Sequence, residues 1–334
     1  MTTTPVDLST ESPSGDVAGD VGDGGSPVRG RSPGQLAWRR LKRDRLGIVS
    51  AIVLGVYVFL AITGQWILDL MHRSATATNS TLLDGNGNPG PHGGITRHYF
   101  FGVEPSLGRD MFPQVLLGMR TSLTIAVLVT LLTTAIGVVA GIASGYSRGM
   151  ADAVIARVID LFLAFPVLLF AIAFIPIVQQ TLQPNPDSNG VWLRITLLLA
   201  LLVLFGWPYF SRLIRGQTVV LRDREFIEAA RAVGAGPGHI IFKQILPNLW
   251  APILITVSLS IPALITTEAA LSFLGVGVVE PIPDLGRTLQ NSIPFVQNDP
   301  WYFLFPGVVL VVLVLAFNLL GDSVRDALDP KSFR

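Results

Sequence analysis

A loop that cradles phosphate needs a glycine-lysine pair followed by serine or threonine. The chain has three lysines, Lys42, Lys243 and Lys331, and none follows a glycine. It therefore carries no nucleotide-cradling loop of that type. The four histidines, His72, His92, His98 and His239, are scattered and lack the spacing of metal ligands. The absence of cysteine removes disulfides, thiolate nucleophiles, zinc–cysteine sites and iron–sulfur clusters. No Gly-x-Ser-x-Gly elbow occurs either, so no catalytic constellation is legible. What stands out is a stretch suited to contact: Glu228-Ala-Ala-Arg-Ala-Val-Gly234, then Ala235-Gly-Pro-Gly238, then His239 through Pro247. Residues 223–233 favour helix, and Ala229, Ala230 and Ala232 would let another backbone come close. Glu228 would add a directional anchor. Gly234 to Gly238 must turn, because glycine accepts a positive φ and proline cannot continue an established helix. A second helix is expected from about His239. On composition alone, a plain polar connector fits this stretch equally well.

The elements that position this stretch follow from hydrocarbon thickness. Half of the 334 residues are hydrophobic and only 14% are charged, against roughly 25% in an ordinary soluble domain. Too little charge remains to coat a soluble globule of this size, which argues against a soluble enzyme. Net charge is +1, which gives no reason to expect a nucleic-acid partner. A bilayer core of about 30 Å needs about 20 apolar residues in a helix. Six stretches without charge approach that length: Leu46 to Leu68 (broken only by polar residues), Thr121 to Tyr146, Leu161 to Gln180, Ile195 to Ser211, Leu249 to Thr267 and Trp301 to Gly321. They do not alternate as barrel strands do, so the expectation is an all-α integral membrane protein of six transmembrane helices. With the amino terminus inside, the cytoplasmic segments hold 18 of the basic residues and the outer segments 6, which favours both termini in the cytoplasm.

The remaining features sit at the ends of the spans. Residues 1–34, rich in Ser, Thr, Pro, Gly and Asp, read as a disordered cytoplasmic tail. Gln35 to Leu46 reads as an interfacial helix or as a simple basic flank. Two outer loops are long, from His72 to Met119 and from Val276 to Pro300. Glu268 lies nineteen residues after Leu249, about 28 Å along a helix, which puts it near the outer end of the fifth span. It has two readings: a carboxylate facing an outer vestibule, or an interfacial carboxylate bonded to its neighbours. Arg157 and Asp160 share a helix face and read as a structural ion pair, with a proton relay as the other reading. Pro166, Pro176, Pro208 and Pro262 lie within or beside spans and can kink them.

The Glu228 stretch resembles the signature of integral membrane permeases of ATP-binding-cassette importers. In that signature Glu-Ala-Ala, three residues, glycine, nine residues and x-x-Leu-Pro recur, carried here by Glu228, Ala229, Ala230, Gly234, Leu246 and Pro247. Gln244 stands where the family often has Ile. Further segments narrow the likeness to the C-type subunit of dipeptide and oligopeptide permeases. They are His98-Tyr-Phe-Phe-Gly102 with Leu107-Gly-Arg-Asp110, Leu116 to Leu123, Thr267-Glu-Ala-Ala-Leu-Ser-Phe-Leu-Gly-Val-Gly277, and Asn318 to Pro330. Val103-Glu104 replaces the usual Thr-Asp. The resemblance covers about Gln35 to the end. It implies a type I importer transmembrane domain (MetI-like) over 116–321 with a coupling loop at 212–248. Before it lie the interfacial helix, first span and outer loop at 35–115, and after it a cytoplasmic tail at 322–334. It further implies a non-catalytic permease subunit in a bacterial cytoplasmic membrane, importing peptides. The implied partners are a homologous B-type permease, two ATPase subunits that hold the ATP and magnesium, and an extracytoplasmic peptide-binding protein. No cofactor is expected in this chain. Nickel or glutathione cargo is the alternative within the family, and a self-sufficient secondary transporter or channel is the alternative outside it.

Overall fold

The computed structural model describes residues 38–182 and 189–328, so the tail at 1–34 lies outside the described residues. Among the described residues, nine α-helices of a full turn or more carry the fold: α1 (Arg45–Leu70), α2 (Met111–Tyr146), α3 (Met150–Leu163), α4 (Val167–Leu182), α5 (Asn189–Arg222), α6 (Glu225–Ala232), α7 (Trp250–Phe273), α8 (Leu285–Ser292) and α9 (Pro300–Leu328). No strand occurs among the described residues. Five of the helices, α1, α2, α5, α7 and α9, are long and apolar enough to cross a bilayer. The third expected span, Leu161 to Gln180, is not one straight helix. It is the pair α3 and α4, bent by 81°, and the count is six only if that pair is one span. Pro166 explains the break, since it lacks an N–H and pushes the residue before it out of helical geometry.

Helices α2 and α5 form the spine, and glycine is what lets them touch. A Cβ at Gly137 would lie 2.7 Å from the Phe210 side chain, one at Gly141 2.7 Å from Ile214, and one at Gly145 2.7 Å from Thr218. Glycines four apart on one face permit this close approach, and dispersion between the backbones replaces the hydrophobic drive that lipid cannot supply. One apolar core joins Val129, Ala171, Ile175, Leu198 and Leu271, drawn from α2, α4, α5 and α7. A second joins Leu54, Ala126, Ile265 and Leu313, which sets α1 and α9 against α2 and α7. Large side chains on the outer faces, among them Ile52, Phe59, Val139 and Val311, remain exposed in the isolated chain, as lipid-facing residues are.

Both long segments expected on the outer side are folded. Helix α2 starts at Met111, capped by Asp110, whose carboxylate accepts the Phe112 N–H at 3.1 Å. Ahead of it, Glu104 and Arg109 form a buried ion pair with a second contact at 2.9 Å. Arg109 also reaches Glu280 at 3.0 Å, and the Tyr302 hydroxyl donates to Glu104 at 2.7 Å. Gln114 donates to the same carboxylate at 2.9 Å. The two outer segments are thereby knotted to each other and to the top of α9. Burial pushes the Glu104 carboxyl up, but the hydrogen bonds from Arg109, Tyr302 and Gln114 outweigh it and hold the group below its ordinary range.

Candidate functional site

The long helices run on past their apolar stretches, and this builds the end of the molecule that carries the Glu228 segment. Helix α5 continues beyond Ser211 to Arg222, so the first eleven residues of the expected 212–248 loop are helical. Two of their three arginines find partners, and the third, Arg212, is exposed. Arg215 pairs with Asp152 of α3 at 2.7 and 2.8 Å. Arg222 donates to the carbonyls of Gly145 and Ser147 at 2.7 and 2.9 Å, covering the end of α2. Arg148, after α2, meets Asp223 at 2.9 Å. The Arg157–Asp160 pair expected from spacing is not among the ion pairs of the described residues, and both side chains are exposed. Asp152 takes the role instead, because it faces α5.

The chain then turns back in an elbow. Helix α6 runs over Glu225–Ala232, and Gly234 ends it at φ +88°. The Gly234 N–H donates to Arg231 at 2.9 Å and the Ala235 N–H to Ala230 at 3.0 Å. This six-to-one and five-to-two pair of bonds closes the helix with glycine in the left-handed position. Pro237 opens the returning helix at its first position, where its missing N–H costs nothing. The return is widened to π geometry over Ile240–Ile245. Ile227, Ile240, Ile245 and Leu249 are buried together with Ile214 and Ile142 under the ends of α2 and α5. Leu246 packs partly against the same cluster.

The sequence-selected residues thus split by face. Glu228, Ala229, Gly234 and Pro247 are exposed, and Ala230 and Leu246 are half-buried. Ile227, one residue before Glu228, fixes α6 to the body and leaves the Glu228–Ala229 edge free. Phe242 and Val233, at 68% and 86% exposure, add apolar surface on the same end. The arrangement offers a rigidly hung, outward contact edge and no reactive group.

Between α2, α5 and α7 lies a cavity of about 370 Å³. Thr133, Tyr209, Thr256, Ser260 and Thr267 contribute its polar lining, and no charged residue among those described lines it. The hydroxyl protons of the four Thr and Ser residues are already donated within their own helices, for example Thr256 to Pro252 at 2.8 Å and Thr267 to Ala263 at 2.8 Å. What they present is acceptor lone pairs. Sequence reading missed this wall; the recurrence of Thr and Ser at 256, 260 and 267 was the available signal.

Glu268 does not face an outer vestibule. It is 0% exposed, and its carboxylate accepts the Ser272 hydroxyl at 3.0 Å. The reason is helical phase: Thr267 turns to the cavity, so the next residue turns away from it and toward α2 and α8.

Residues 137–334 match the family described as the binding-protein-dependent transport system inner membrane component, and residues 32–81 match the N-terminal transmembrane domain of oligopeptide transport permease C. The chain belongs to this family of inner membrane transport components. A dipeptide transport system permease protein, DppC, of Alkalihalophilus pseudofirmus is 36% identical over 300 residues, which is 90% of each chain. A glutathione transport system permease protein, GsiD, of Escherichia coli is 36% identical over 305 residues, covering 91% of this chain and 93% of that one. The fold is that of a solved methionine transporter of the ATP-binding-cassette class, MetNI, in inward-facing form. That likeness has a TM-score of 0.52 at 18% identity and covers 66% of this chain and 98% of the other. As a member of this permease family the chain is an integral membrane transport component, and its elbow lies inside the matched region.

Proposed function

We propose that this chain is the C-type permease subunit of an ATP-driven importer of short peptides. Glu228, Ala229, Ala230 and Gly234 seat it on a separate ATPase, and Leu246 and Pro247 set the return of the elbow. The observation that carries the reading is the split face of α6: one buried isoleucine fastens it while the glutamate–alanine edge stays open. ATP and magnesium belong to the two ATPase subunits in this reading. A homologous B-type permease closes the open side of the cavity, and an extracytoplasmic binding protein delivers the cargo. Both termini lie in the cytoplasm. The hydroxyl-lined, charge-free cavity suits a zwitterionic peptide that must pass without being held, since fixed charges would bind one terminus and slow release.

Motion of the ATPases acts on α6. Arg222 and the Arg215–Asp152 pair link the adjoining end of α5 to α2 and α3, so the push reaches the spans as one body. Glu228→Arg is expected to leave membrane insertion intact while abolishing peptide-stimulated ATPase activity and uptake in the importer reconstituted from both permeases and both ATPase subunits and supplied with the binding protein. Unchanged stimulation and uptake would overturn the coupling assignment. Competition of labelled dipeptide uptake by excess glutathione or nickel reads out the cargo.

A further inference from the structure

Behind the cavity wall lies a buried group that transport through the cavity does not use. Glu268 of α7 and Asp284, the residue that caps α8, are both 0% exposed. Asp284 accepts the backbone N–H of Arg287 at 2.8 Å through Oδ1. Glu268 accepts the Ser272 hydroxyl at 3.0 Å through Oε1, and the same Ser272 oxygen accepts the Val278 N–H at 3.1 Å. The other two oxygens, Glu268 Oε2 and Asp284 Oδ2, find no donor. Gly286, two residues after Asp284, packs against the backbone of Ala269, the residue next to Glu268, so the two carboxyl groups are buried at one place where α7 meets α8. Ser122 of α2, also 0% exposed and with its hydroxyl unpartnered, stands beside Glu268. Packing around the pair is at its limit. A Cβ at Gly286 would fall 2.2 Å from the Ala269 carbonyl oxygen, and one at Gly118 would fall 3.2 Å from the Asp284 backbone.

Two ionised carboxylates cannot share such a place. Burial penalises each charge, and the like charge beside it penalises both. A single proton resolves the conflict, as in other buried carboxyl pairs. We propose that Glu268 and Asp284 hold one proton between them, donated from Glu268 Oε2 to Asp284 Oδ2, and that this bond clasps α7 and α8 together against α2 at the outer rim of the cavity. The direction follows from the neighbours. Asp284 faces the Arg287 guanidinium and caps a helix, and both favour its ionised form. Glu268 meets only hydroxyls. Arg287 is itself flanked by Glu280 on the connecting segment and by Glu104 and Arg109 of the outer knot, while α2 contributes only the uncharged Ser122. Burial pushes Asp284 up from its ordinary value, and the hydrogen bond from Glu268 and the backbone N–H of Arg287 pull it back. Both residues are positioning residues: they touch no cargo and set the wall that Thr267 and Leu264 present to it.

The test compares wild type with Glu268→Gln and Glu268→Ala in the intact importer. The glutamine amide can donate to Asp284 and accept from Ser272, so Glu268→Gln is expected to melt at the wild-type temperature and transport normally. Glu268→Ala is expected to melt lower by about 2–4 °C or more. Infrared difference spectra of the wild type at neutral pH should show a buried protonated-carboxyl stretch that is missing in Glu268→Gln. If Glu268→Gln is as damaging as Glu268→Ala, or if the wild type shows no such stretch, the shared proton is wrong. Neither readout depends on what the importer carries.

Discussion

At the scale of single residues, the outer knot is where one change costs most. Arg109 and Glu104 are both buried, with side chains 8% and 4% exposed. Removing the guanidinium leaves a carboxylate without its charge partner in a place water does not reach. Breaking a buried pair from one side costs about 3–5 kcal/mol. Arg109→Ala is therefore expected to lower the melting temperature in detergent far more than Arg148→Ala, whose pair with Asp223 is exposed. Acid should act in the same direction. Because the folded Glu104 is held below its ordinary 4.5, its stabilisation is complete above that pH and is lost as the pH falls through the lower folded value. Melting curves taken on the acid side should show the loss in wild type and a shallower one in Glu104→Gln.

At the scale of elements, the close approach of α2 and α5 makes the glycine spine unforgiving. Gly141 has both the Ile214 side chain and the Ser211 carbonyl 2.7 Å from where a Cβ would stand. Gly141→Leu should force the helices apart and destabilise by about 1–3 kcal/mol, as overpacking does. The same change at Gly55, which has nothing within 4 Å, should be silent. Thermal melts of the two variants side by side check this. The spans themselves were legible from the run of uncharged residues, because the bilayer fixes a minimum length that few soluble helices reach. The two-part elbow was legible too, since Gly234 and Pro237 punctuate it. Pro166 was one of four prolines marked as possible kinks, but that it alone breaks its span was not legible, because the apolar run continues across it and hydropathy ignores backbone geometry. Nor was the continuation of α5 to Arg222, because a charge read along the sequence does not reveal the Asp152 that neutralises it. Of the two readings of Glu268, the structure shows the one bonded to its neighbours, since facing follows only from those neighbours and not from helix rise.

At the scale of the whole molecule, the elbow and the outer knot lie at opposite ends of the same helices. The sequence has no cysteine, so single substitutions report position without background. A membrane-impermeant thiol reagent should label Asn86→Cys in intact cells and Glu228→Cys only in inverted vesicles. The reverse pattern would invert the orientation and remove α6 from the reach of any cytoplasmic ATPase. Helix α4 adds a different consequence. Its sixteen residues extend about 24 Å, short of a hydrocarbon layer of about 30 Å. Lipid beside it must dimple inward, or the slanted α3 must fill the shortfall, and each response has an elastic cost that grows with acyl-chain length. Uptake in proteoliposomes should accordingly decline as the acyl chains are lengthened, which would make this one corner of the protein a gauge of the thickness of its own membrane.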